Sequence, residues 1–139
     1  MEKFEFDFKD FTNIKNLRFD PLNDSCVIEI DSILLKKQDT SVDLMPYISS
    51  NCDIKHSNSY FFTTNDSQIY FENLPSDIFE NTNSMEVSIR YAHISEDALE
   101  VTIKQELEQT KQELANIYTS KSWKLTRPLR KIMRVLRGG

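Results

Sequence analysis

The chain has 139 residues, 39% hydrophobic and 28% charged, with a formal charge of -5. That length bounds it to one ordinary domain plus an appendage. Residues 119–139 carry +7, which leaves -12 on the rest, so long-range repulsion of phosphate excludes nucleic acid as the main ligand of the acidic part.

The first residues, MEKFEFDFKD, are acidic and alternating. They lack the basic start and apolar core of a signal peptide. No apolar run approaches the roughly 20 residues of a spanning helix. The expected location is therefore the cytoplasm, with room for peripheral contact on the inner face of the plasma membrane. FEFDF (4–8) places Phe4, Phe6 and Phe8 on one strand face. NIKNLRFD (13–20) reads as a second strand and stops at the turn DPLND. CVIEIDSILL (26–35) sets Cys26, Ile28 and Ile30 against Glu29 and Asp31. SYFFTT and SQIYFENL follow, separated by the turn-like Asn65-Asp66-Ser67. MEVSIRYAHI (85–94) is the cleanest strand, with Met85, Val87, Ile89, Tyr91 and His93 facing one way. Both Gly residues are terminal, so Asn, Asp and Ser supply the turns. Short strands with polar turns about every ten residues predict an antiparallel, jelly-roll-like β-sandwich over 1–94.

The pattern switches at Ser95, a good helix N-cap followed by Glu96 and Asp97 in the dipole-favoured first turn. Ile103, Leu107, Thr110, Leu114 and Ile117 are spaced 4, 3, 4, 3. That is a coiled-coil seam for self-association over 95–119, with Thr110 its weak point. The same stripe would serve a helix that packs back on the β domain. Residues 120–139 form a third segment, an SKSW hinge and a short basic amphipathic helix started by Pro128. Leu129, Ile132, Met133 and Leu136 make its apolar stripe. With Trp123 they suit an anionic membrane surface or a partner, and Lys124, Arg127, Arg130, Lys131, Arg134 and Arg137 supply charge.

The residues Ser120, Ser122, Trp123, Lys124, Thr126, Pro128, Leu129 and Arg130 make the segment SKSWKLTRPLR. It resembles the S-x-SW-[RK]-x-T-x-PLR element that adjoins glycosyltransferase and sugar-associated methyltransferase domains in bacterial cell-surface polysaccharide proteins. LRFDPLND, VIEIDSILL and SQIYFENL are similar to a β-rich module that precedes that element. The resemblance implies a role in O-antigen or capsule assembly, beside a glycosyltransferase or methyltransferase partner or domain. It carries over no catalytic site. The chain is too short for a glycosyltransferase domain. It also has no Gly-rich turn of the kind a methyltransferase uses. The expectation is a non-catalytic accessory, targeting and oligomerisation module, as a stand-alone protein or a fragment of a larger glycosyltransferase.

The alternative is a carbohydrate-binding sandwich that presents glycan to a partner enzyme. Tyr47, Tyr60 and Tyr70 would pack on sugar rings, and Asn65, Asp66 and Gln68 would bond hydroxyls. Cys26, Cys52, His56 and His93 show no metal-ligand spacing. No metal, catalytic residue or cofactor is assigned.

Overall fold

The computed structural model describes residues 1–119. Nine strands precede one long helix: β1 Glu2–Asp7, β2 Arg18–Phe19, β3 Cys26–Lys37, β4 Ser41–Asp43, β5 Ile48–Ser50, β6 Ile54–His56, β7 Ser59–Phe62, β8 Ile69–Phe71, β9 Thr82–Ile94 and α1 Glu96–Thr119. A single 3-10 turn, Met45–Tyr47, interrupts the β region. All strand pairs are antiparallel. The large sheet runs β1-β9-β3-β7-β6, with β4 also on β3; the small sheet runs β2-β8-β5. The chain divides into two compact units, Met1–Thr102 and Ile103–Gly139. The first includes the opening turns of α1, so it reaches past the expected boundary at Ile94.

The two sheets share one core. The large sheet contributes Ile28, Ile30, Ile33, Leu35, Tyr60, Phe62, Val87 and Ile89, and the small sheet contributes Phe19, Ile69 and Phe71. The long strands β3 and β9 form its backbone. Met85, Val87 and Ile89 of β9 face inward as their alternation predicts. On β3 the inward set changes parity, from Ile28 and Ile30 to Ile33 and Leu35. The register explains it: Ile30 pairs with Ile89 and Ser32 with Ser88, so Asp31 is an extra residue. This β-bulge keeps both halves of an irregular apolar run on the core side.

A second irregularity corrects the expected face of His93. Ile28 pairs with Tyr91 but Val27 pairs with His93, so Ala92 is bulged out. Val27 belongs to the small cluster on the opposite face of the sheet, with Ile54, Phe61, Ala98, Ala92 and Val101. His93 therefore shares that outer face and not the face of Met85. Tyr91 stays at the core and donates its hydroxyl to the Pro21 carbonyl at 2.6 Å.

The helix begins on this outer cluster. Ala98 and Thr102, four residues apart, are fully buried. The Thr102 hydroxyl donates to the Ala98 carbonyl at 2.6 Å, which satisfies it without a cross-element partner. Ser95 accepts the first helical bond from the Leu99 N–H. Its hydroxyl, however, donates to Asp24 at 2.5 Å. The expected N-cap thus ties the helix entry to the turn before β3.

The expected strand over 13–20 shrinks to Arg18–Phe19. Asn13 takes a left-handed conformation, φ 57°, and β2 pairs only through Arg18↔Tyr70 and Phe19↔Ile69. Ile14 and Leu17 are pegged against the core from a loop instead.

Candidate functional site

Most sequence-predicted sugar contacts gather at one end of the small sheet. Asp66 and Gln68 lie on the turn before β8, and Tyr70 is the middle residue of that strand. Their polar groups are largely engaged with one another. The Asn51 side chain donates to the Asp66 carbonyl at 2.7 Å and accepts the Gln68 N–H at 2.8 Å. The Gln68 amide donates to the Asp66 carboxylate at 3.0 Å. The Tyr70 hydroxyl donates to the Ser50 carbonyl at 3.3 Å. Asn65 is exposed beside them. This cluster is a turn locked by its own side chains. Tyr47 sits at the far end of β5, where its carbonyl accepts the Glu72 N–H.

Tyr60 is a correction. It is 2% exposed, at the centre of the core. The Lys55 ammonium lies 5.3 Å from the ring centroid. No ring face is left for a ligand. Its pairing places it on the inner face, opposite Ile28.

A different concave region stands out, between β1, β2 and the loop that joins them. It has a volume of about 590 Å³ and is lined by Phe6, Phe8, Phe11, Leu17, Phe19 and Met85, with Glu5, Asp7, Arg18 and Asp20 at its polar rim. Local structure builds it. Phe8 is buried and its N–H donates to the Asn83 carbonyl at 2.9 Å. Phe11 closes a turn by donating its N–H to the Phe8 carbonyl at 3.0 Å. The Phe11 ring is thereby presented on a fixed turn and is 65% exposed. Phe6 faces the core row through its partner Met85. It meets Phe19 edge-on at 5.7 Å and stays 38% exposed.

The rim is held by short-range pairs. Arg18 donates to Asp20 at 2.9 Å. Asp7 accepts the Lys9 N–H at 2.9 Å and lies 3.8 Å from the Lys9 ammonium. Glu5 accepts the Ser84 hydroxyl at 2.9 Å. A second hollow of about 390 Å³ shares Phe8, Phe11, Leu17 and Arg18 with the first. The pattern reading missed this region. Its available signal was Phe11 itself, a large apolar residue stranded among the turn-forming KDFTN.

The expected seam maps onto α1. Ile103 and Leu107 are 64% and 54% exposed, Ile117 is 41% exposed, Thr110 is exposed and Leu114 is half-buried. The Thr110 hydroxyl donates to the Glu106 carbonyl at 2.9 Å. Trp123, Lys124, Arg127, Leu129, Arg130, Lys131, Ile132, Met133, Arg134, Leu136 and Arg137 lie outside the described residues.

Among the described residues, no three His, Cys, Asp or Glu side chains stand together as a metal site. Cys26 and Cys52 are free thiols. No described helix is long and apolar enough to cross a membrane. Neither a family model, nor a curated protein, nor a solved structure matches the chain.

Proposed function

We propose that the chain is a non-catalytic accessory module of bacterial surface-glycan assembly, a jelly-roll-like β-sandwich carrying a coiled-coil helix and a basic segment. In this reading it self-associates through α1 and positions a partner glycosyltransferase or methyltransferase near an anionic membrane surface. The glycan context comes from the resemblance of residues 120–130. The observation that carries the self-association is the exposure of Ile103 and Leu107, one helical turn apart. Burying each against a second helix would recover about 1.5–3 kcal/mol. Two heptads make a short seam, so the association is concentration-dependent.

Sedimentation velocity of the full chain tests the reading. A dimer or higher species that dissociates on dilution is expected, and Leu107→Lys makes the chain monomeric. A monomer at the highest soluble concentration sinks it.

A second reading, a carbohydrate-binding module, is favoured by the Phe-lined groove at the β1–β2 end. It is compatible with the first, since a module that holds glycan would also hold it near a partner enzyme.

A further inference from the structure

We infer that the groove beneath Phe11 is a saccharide site for uncharged pyranose rings. The inference rests on the carbohydrate-binding reading and assigns that reading a place and a ligand class. The groove pairs two features that few ligands satisfy together. Its apolar lining is mainly aromatic, with Phe11 and Phe6 exposed and Phe8 and Phe19 buried. Its rim carries Glu5, Asp7, Arg18 and Asp20.

A purely apolar occupant would cover the rings but strip water from the remaining donors and acceptors of the rim, which is costly. An extended polar occupant would leave the rings wet. A pyranose offers both surfaces, an apolar C–H face and a circumference of hydroxyls. The C–H face stacks on a ring; the hydroxyls donate to carboxylates and accept from guanidinium.

The rim is already ordered. Arg18 is fixed by Asp20, Asp7 by the Lys9 backbone and Glu5 by Ser84. Each carboxylate keeps acceptor capacity and Arg18 keeps donors, so little side-chain entropy remains to be lost on binding. The charge selects within the class. Glu5, Asp7 and Asp20 outnumber Arg18 and Lys9, so uronates and sugar phosphates are disfavoured. The volume of about 590 Å³ falls in the roughly 300–1,000 Å³ range of small-molecule sites. The second hollow shares the Phe11 ring and Arg18, so an oligosaccharide can straddle them.

The test is calorimetric titration of the full chain with neutral trisaccharides of glucose, mannose, galactose and rhamnose, and with a trigalacturonate. At least one neutral trisaccharide is expected to bind saturably. Phe11→Ala and Arg18→Ala each weaken it tenfold or more, and the trigalacturonate binds at least tenfold more weakly. Both altered residues are exposed, and unchanged urea midpoints verify that the fold is intact. Binding that survives both substitutions but is lost in Gln68→Ala or Tyr70→Ala overturns this site and keeps the carbohydrate-binding reading. Absence of binding by all four neutral sugars overturns that reading as well. Tighter binding of the trigalacturonate overturns the selectivity.

Discussion

Cys26 lies fully buried where β3 begins, between Phe62 and Ile94 in the pairing register. Burial pushes its thiol above the ordinary range, the Asp24 charge adds to the effect, and a hydrogen bond with Ser67 opposes it. Tyr91 is also raised, by burial first and then by Glu2 and Cys26. Both groups are neutral in the fold, and the unfolded chain releases their protons at lower pH. Their contribution is therefore full below the unfolded thiol value of about 8.5 and is lost as pH rises toward the folded values. The urea midpoint should hold steady below that point and fall above it. Cys26→Ala should flatten the earlier part of the decline. A thiol reagent at neutral pH should label Cys52, which is partly exposed, well before Cys26.

A second residue-scale effect centres on Asp24. It accepts the Ser25 N–H at 2.7 Å and the Ser95 hydroxyl at 2.5 Å, while the Ser95 N–H donates to the Ser25 carbonyl at 2.8 Å. Asp24→Ala strands the Ser25 N–H and the Ser95 hydroxyl at the helix entry. A loss of about 1–3 kcal/mol is expected from urea denaturation.

At the scale of elements, the Asp31 bulge sets the facing of half a strand. A regular alternation running through Asp31, without the bulge, would turn Ile33 and Leu35, both fully buried, toward the outer face. Each is worth about 1.5–3 kcal/mol of burial, against a total stability of about 5–15 kcal/mol for a typical domain. Deletion of Asp31 removes the extra residue and leaves a regular strand with Ile30, Ile33 and Leu35 still inward, so thermal unfolding should stay cooperative. An alanine inserted between Ser32 and Ile33 should abolish it. Asp31→Ala, at an exposed position, should leave the melting curve nearly unchanged.

On α1, the exposed Thr110 hydroxyl is satisfied within its own helix. Thr110→Leu extends the apolar seam, and should tighten self-association by about tenfold, equal to 1.4 kcal/mol. Sedimentation equilibrium would measure it.

The elements differ in how far the sequence announces them. β9 and α1 do so plainly, because thirteen and twenty-four residues hold many repeats of their periods. β4, β5 and β6 have three residues each, too few for an alternation to stand out. The bulges at Asp31 and Ala92 depend on pairing between distant strands, which no local pattern contains. For the same reason Tyr60, expected to pack on a sugar ring, proves central in the fold.

At the scale of the whole molecule, charge is the dominant asymmetry, with +7 on residues 119–139 and -12 on the rest. Each Lys or Arg near an anionic leaflet contributes about 1 kcal/mol, within a Debye length of about 8 Å at physiological salt. The full chain should therefore co-sediment with vesicles containing phosphatidylserine and less with neutral phosphatidylcholine vesicles. Binding should weaken as salt rises and disappear when residues 120–139 are deleted. Equal binding to both vesicle types would rule the charge mechanism out. The candidate groove belongs to this scale as well. It joins β1, β2 and the turn that carries Phe11, and only tertiary structure brings Arg18 beside Phe6. A stranded aromatic in KDFTN was the whole of its local trace.

Five described residues adopt left-handed backbone conformations: Asn13, Ser57, Asn73, Asn81 and Ser95. None is glycine, because the chain has only two glycines and both are terminal. A side chain in that region costs about 1–2 kcal/mol, less for Asn. The β domain thus holds unclaimed thermal tolerance at its turns. Ser57, exposed in the turn between β6 and β7, is the position to use it, since no core contact depends on it. Ser57→Gly is a one-residue route to a sturdier protein for crystallisation or display, obtained without touching the groove or the helix.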